Sequence, residues 1–265
     1  MTRPRPVALA IAAHPDDIEF RMAGTLLLLR AAGWDTHYFN LSAGNCGSAR
    51  MGPAETTRKR RAEAQRAASL LDAVWHPSCC RDLEITYTIP ILRKVAAVIR
   101  EVKPTVVMTH PPVDYMEDHT ATCRLAVTAA FSRGMPNFRT TPSRPAFPGE
   151  ITVYHCTAHG LVDPLNRPMT PEFYIDTTSV QDRKLEALAA HESQQDWLDR
   201  SQGMNSYLKA ADDESLLVGR ASGEFRHAEG WWRHSATGFC AADADPLREA
   251  LGSAVSPRLK ASARH

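Results

Sequence analysis

Apolar and polar residues alternate along this chain in the rhythm of an α/β protein. The run Val7 to Ala13 is too short for a helix and too uniformly apolar for a strand with one wet face, so it predicts a parallel strand buried on both sides. The pattern then turns helical from Asp17 to Arg30, with Ile18, Met22, Leu26 and Leu29 on one face. Similar reading predicts strands over Asp35–Leu41, Asp72–Trp75, Thr105–Thr109, Ile151–Tyr154 and Glu172–Asp176. Helices are expected over Thr57–Leu71, Ile89–Val102, Thr120–Phe131 and Val180–Leu198, with a mixed helix and loop from Gln202 to Gly230. The prolines and arginines of 137–149 mark a surface connection. Strands alternating with helices predict a Rossmann-like three-layer α/β sandwich around a mostly parallel sheet, its ligand site beyond the carboxyl edge of the strands. We expect one domain over 1–200, an extension over 201–252 packed on it, and a disordered tail over 253–265.

The chemistry-bearing residues fall on that edge. His14-Pro15-Asp16-Asp17 sits on the turn between the first strand and the first helix. His110 to His119, with Asp114, Asp118 and His119, follows the Thr105–Thr109 strand. Two such turns of one parallel sheet open on the same side, so His119 can meet His14 and the Asp pair. Imidazole plus carboxylate is the ligand set of a catalytic zinc site. One Asp could bind the metal while the other contacts a water, or either could simply cap the helix. Asp118 would orient a ligand or tune the water. His155 and His159, on a later polar loop, are rival ligands.

Composition narrows the function classes. At 265 residues, 43% hydrophobic and 23% charged, the chain is an ordinary globular one, and its formal net charge of +1 argues against nucleic acid or an anionic membrane as partner. No window approaches a membrane span, and the seven apolar residues before His14 are too few for a signal peptide, so the expected location is cytoplasmic. The six cysteines lack zinc-type Cys-x-x-Cys spacing, and adjacent Cys79 and Cys80 read as reduced thiols. No Gly-x-Gly-x-x-Gly follows the first strand, which argues against a dinucleotide; the glycine-rich turn Ser42–Ser48 is either structural or a substrate loop.

Three motifs in order, Ala13-His-Pro-Asp-Asp17, Asp118-His119 and Lys184-x-x-Ala187-Leu188-x-x-His191-x-Ser193-Gln194, resemble the PIG-L/LmbE family of zinc-dependent N-deacetylases, with weaker agreement at Ser42–Ser48 and Arg60-x-x-Glu63-Ala64. The resemblance runs from residue 7 to about 200. It implies Zn2+, or another divalent metal such as Fe2+ or Co2+, held by His14, Asp17 and His119, with Asp16 as general base. It also implies Arg60 and Asp118 at the substrate, an N-acetylated amino sugar or glycoconjugate as that substrate, and a homo-oligomer, trimer or hexamer. Family members often carry a histidine three places before the last ligand to hold the oxyanion; here that position is Met116, which cannot donate. We expect His191 to substitute, with Tyr115 and His110 as the other candidates. Alternative readings are an amidase for another acyl group or a thiol conjugate, and a metal-containing binding protein without turnover. The Gly230-Trp-Trp-Arg-His234 segment could stack on a sugar, contact a subunit or seal the sheet edge.

Overall fold

A computed structural model describes residues 5–201 and 207–258. Seven strands form one sheet in the order β3-β2-β1-β4-β5-β7-β6: β1 Val7–Ala12, β2 Asp35–Asn40, β3 Val74–His76, β4 Val106–Thr109, β5 Thr152–Cys156, β6 Phe173–Asp176 and β7 Ala228–Arg233. Strands β1 to β5 pair in parallel, and β7 lies antiparallel between β5 and β6. Strand β1 is buried on both faces as its composition requires. Ala8, Ala10 and Ala12 enter the core under helices α2 (Ala23–Ala31) and α3 (Pro53–Leu70). Leu9, Ile11 and Ala13 enter the opposite core, under α4 (Ile89–Val102) and α5 (Glu117–Phe131). The chain therefore winds to opposite faces on either side of the β1–β4 pair, and such a switch point opens a crevice at the carboxyl edge. The His14–Asp17 and His110–His119 clusters both hang from these two strands. No helix among the described residues is long and apolar enough to cross a membrane.

Two helices expected to be continuous are each broken, for one physical reason. The stretch 17–30 divides into α1 (Asp17–Arg21) and α2 at Met22. The Glu229 carboxylate of β7 then accepts hydrogen bonds from the backbone N–H of Gly24 (2.8 Å) and Thr25 (2.9 Å), satisfying donors that a new helix start leaves open. Gly24 is required there, since a Cβ would come within 2.4 Å of Thr177 Cγ2. The stretch 180–198 divides into α6 (Gln181–Ala189) and α7 (Glu192–Ser201). There Glu63 of α3 accepts from the Ser193 N–H (2.9 Å) and hydroxyl (2.5 Å). These caps come from carboxylates far away in sequence.

The C-terminal part is woven into the sheet. The Trp231-Trp232 segment is β7, with Trp231 fully buried and donating from its indole to Thr25 Oγ1 at 3.2 Å, so Trp231 is core and cannot stack on a sugar. Helix α8 (Tyr207–Ser222) packs against β7 and α6, and α9 (Pro246–Leu251) follows. Residues 253–258, read above as the start of a disordered tail, are docked: Ser256 Oγ accepts from the Tyr174 N–H at 2.9 Å, and Arg258 pairs with Glu172 and Asp245. The rest of that tail lies outside the described residues.

At the β2–β3 edge, His37 Nδ1 and His76 Nε2 share a 2.9 Å hydrogen bond, which requires one of them to accept and so to be neutral there. Burial, helped by His37, holds the His76 ring down at about 4, and burial lowers His37 as well. Folded pKa values below the unfolded value mean that the stabilisation is complete above about pH 6.5 and is lost as pH falls towards 4. Denaturant midpoints of the wild type should therefore fall more steeply across that window than those of His76→Phe; parallel curves would contradict this.

Candidate metal centre and active site

The turn after β1 is locally strained. Asp16 adopts φ 95°, a left-handed conformation that is unfavourable for a residue with a Cβ. Neighbours hold it there: Arg60 donates to the carbonyls of Pro15 (2.7 Å) and Gly44 (3.3 Å), and Asn40 donates to the carbonyl of His14 (2.6 Å). Gly44, at φ 74°, has no room for a Cβ because the Arg60 guanidinium would lie 2.2 Å away. The glycine-rich turn thus exists to let Arg60 reach the His-Pro-Asp-Asp turn.

Ligand atoms of His14, Asp17 and His119 all lie within 4.8 Å of one another. Each imidazole is aimed by a carboxylate on its other nitrogen. His14 Nε2 sits 2.9 Å from Asp118 Oδ2, leaving Nδ1 towards Asp17 at 3.5 Å. His119 Nδ1 sits 3.0 Å from Asp114 Oδ1, leaving Nε2 3.4 Å from Asp17 Oδ1. Two imidazoles and one carboxylate, with carboxylate-backed rings, are the donor set of a divalent metal centre. The electrostatics agree. Burial works against charge on the two rings, but hydrogen bonds donated to Asp118 and Asp17 outweigh it at His14, raising it to about 9. At His119 the Asp17 charge and the Asp114 bond raise the ring to about 10. Burial opposes charge on Asp17 too, yet His119, His110 and His14 hold it well below the usual carboxylate range. Protons so strongly held mark a field built for a cation, and metal binding would release them.

Asp16 occupies a different environment. It is 7% exposed, lines the cavity, and is pushed up to about 6 mainly by burial, against the pull of Arg60. Its Oδ2 accepts from the Tyr207 hydroxyl at 2.7 Å, and its Oδ1 lies 3.8 Å from Arg60 Nη2. Two adjacent carboxylates thus differ sharply in proton affinity, the condition for dividing ligand and base roles between them.

The remaining sequence-predicted residues fall as follows. Arg60 lines the cavity but commits its guanidinium to backbone carbonyls. Asp118 is 2% exposed and engaged with His14 and the Leu83 N–H (2.7 Å), so it aims a ligand and does not reach the cavity. His191 has no exposed surface and does not line the cavity; its Nε2 lies 3.3 Å from Glu19 Oε1, off the hydrogen-bond direction. It therefore cannot touch an oxyanion in this geometry, and it sits behind Asp16. His110 is stacked 4.1 Å from His119, and its Nε2 accepts the Ala13 N–H at 3.0 Å. His155 is bonded to the His110 carbonyl and His234, away from the metal group. His159 lines the cavity and lies 3.2 Å from Glu214. Residues that the sequence reading left without a role are Asp114, Arg21 and Tyr207. Asp114 sits two residues before Met116 in a cluster already flagged, so His-backing was a signal available for it; the other two had none.

The cavity over these groups has a volume of about 290 Å3, and its wall includes Asp82, Leu83, Tyr115, Met116, Gln194 and Trp197. Because outer carboxylates typically contribute about 10–100-fold to metal affinity, Asp114→Asn should weaken metal binding by that factor with the fold intact, read by competition against a chelator. An unchanged affinity would show that Asp114 does not aim His119.

Residues 9–130 match the family described as PIG-L: GlcNAc-PI de-N-acetylase. The chain is 29% identical over 228 residues to a diacetylchitobiose deacetylase of Thermococcus kodakarensis, covering 84% of this chain and 80% of that protein. It is also 29% identical over 196 residues to a 4-oxalmesaconate hydratase of Pseudomonas putida, covering 71% and 74%. The solved N,N′-diacetylchitobiose deacetylase of Pyrococcus horikoshii shares the fold at a TM-score of 0.71 and 22% identity, over 87% of this chain and 84% of that one. Residues 9–130, in which both His/Asp turns lie, thus carry the match to the PIG-L family.

Proposed function

We propose that the chain is a divalent-metal-dependent amide hydrolase that removes an N-acyl group, acetyl in the simplest case, from an amino sugar or glycoconjugate. The observation that carries this is the pairing of a carboxylate-backed His14–Asp17–His119 cluster with a separate, weakly acidic Asp16 on the same cavity. His14, Asp17 and His119 would hold the metal, zinc being well suited to two imidazoles and a carboxylate. Bound there, it would lower the pKa of a water and polarise the amide carbonyl. Asp16 takes the proton of the attacking water on Oδ1, its oxygen not engaged by Tyr207, and passes it to the amide nitrogen as the carbon–nitrogen bond breaks. The products are a carboxylic acid and a free amine. Arg60 holds the backbone that carries Asp16. With Met116 unable to donate and His191 buried away from the cavity, Tyr115 is a neutral donor on the wall that fits the oxyanion role; it is half exposed, and partial burial together with the nearby Asp17 and Asp114 charges keeps its hydroxyl protonated. Asp82, Gln194 and Trp197 offer the polar edge and aromatic face that a sugar ring uses.

The hydratase relative, at the same 29% identity over a shorter span, supports a second reading in which the same scaffold adds water to a carbon–carbon double bond of an acidic substrate. Free-amine release from a panel of N-acylated amino sugars, with metal-loaded wild type beside Asp16→Asn, separates the two. Release by the wild type alone supports the amidase. Silence across the panel, with water added to an unsaturated dicarboxylate, would replace it by the hydratase.

A further inference from the structure

Helix α8 lies in the region where resemblance to known motifs has run out, yet its first residue reaches the reacting groups. Tyr207 is fully buried, and its hydroxyl donates to Asp16 Oδ2 at 2.7 Å across 191 residues of sequence. Its ring is itself fixed, edge-on to Phe20 at 5.2 Å and packed with Leu188 and Ala211. The same helix is tied to the cavity wall a second time, by Glu214, which pairs with Arg21 and accepts the Gly160 N–H at 2.9 Å. Among the described residues Asp16 has no other side-chain hydrogen bond, since Arg60 Nη2 is 3.8 Å from Oδ1, beyond hydrogen-bond reach.

We propose that Tyr207 is a positioning residue for the water-activating carboxylate: it pins Oδ2 of Asp16 and leaves Oδ1 as the oxygen that handles the proton. This rests on the amide-hydrolase reading above. The chemistry of the bond makes it a tether and not a relay. A phenol donates most strongly to an ionised carboxylate and still donates to the carbonyl oxygen of a protonated one, so the hydrogen bond survives both halves of a cycle in which Oδ1 gains and loses the proton. Burial and the nearby Asp16 charge hold the phenol in its donating form throughout. Without the tether, the carboxyl plane could turn about its last bond, a broad and soft rotation. Misplacement on that scale is enough to slow a proton transfer strongly. The C-terminal helix thereby completes the active site that the N-terminal motifs begin.

The test compares Tyr207→Phe, which removes one oxygen and keeps the ring, with Leu208→Ala, which thins the packing of the same helix end without touching Asp16. Per metal-loaded chain, Tyr207→Phe should lower kcat by about 10–100-fold and leave KM within about threefold, with wild-type metal content. Leu208→Ala should lower the thermal midpoint but keep kcat. Independently of turnover, Tyr207→Phe should lower the midpoint less in an Asp16→Ala background than in the wild type, because the partner is already gone. Wild-type kcat in Tyr207→Phe, an equal loss in Leu208→Ala, or strictly additive midpoints would overturn the proposal. A wild type inactive on every amide would instead overturn the hydrolase reading, while the midpoint cycle would still decide the tether.

Discussion

Asp16→Asn should lower turnover by about a thousandfold while metal content and thermal midpoint stay close to wild type. The magnitude is that of losing a positioned acid–base group, about 10²–10⁴-fold. Metal retention is expected from geometry, because the clustered donor atoms are those of His14, Asp17 and His119, without Asp16. Asparagine still accepts the Tyr207 hydroxyl through its amide oxygen, so the strained turn at φ 95° keeps its support. What is lost is only the ability of Oδ1 to take a proton. Steady-state rates together with metal analysis of the purified variant check this. A variant that loses its metal would move Asp16 into the ligand set, and one with wild-type turnover would remove it from the chemistry.

Lys184→Met should be the most damaging single change away from the site. Lys184 Nζ lies 2.9 Å from Glu229 Oε1, with both side chains almost wholly buried. The same carboxylate caps α2 through Gly24 and Thr25 and accepts the Thr25 hydroxyl at 2.7 Å. Removing the cation leaves a buried charge held only by neutral donors, a situation that costs about 3–5 kcal/mol. The loss should appear in urea unfolding as a lower midpoint with an unchanged slope. A loss below about 1 kcal/mol would mean that the α2 cap and the hydroxyl already satisfy Glu229 without its lysine.

The physics of the central sheet explains why so much of it was legible. Parallel strands buried on both faces must be apolar throughout, so β1 and β4 stand out as runs, and the polar residues that end them must lie on the carboxyl edge. The sequence alone therefore brings His14, Asp17 and His119 to one edge. The breaks at Met22 and after Ala189 were not legible, because the carboxylates that cap the second halves, Glu229 and Glu63, lie far off in the chain. Strand β7 was missed because its pairing partners, β5 and β6, precede it by many residues and its Trp pair looked like a binding surface. At the site, residue type gave the neighbourhood but not the direction of each side chain. Asp118 faces His14 and His191 faces Glu19, each one layer behind the cavity. Tyr207 had no signal at all, since a single buried hydroxyl leaves no periodicity.

The measurement that tests the amide-hydrolase reading most directly is turnover of an N-acetylated amino sugar in water enriched in oxygen-18. With a non-reducing glycoside as substrate, attack of water on the acyl carbon predicts one labelled oxygen in each released acetate and none in the amine. Acetate released without label would contradict it, and an untouched amide beside label fixed into an unsaturated dicarboxylate would assign the site to hydration.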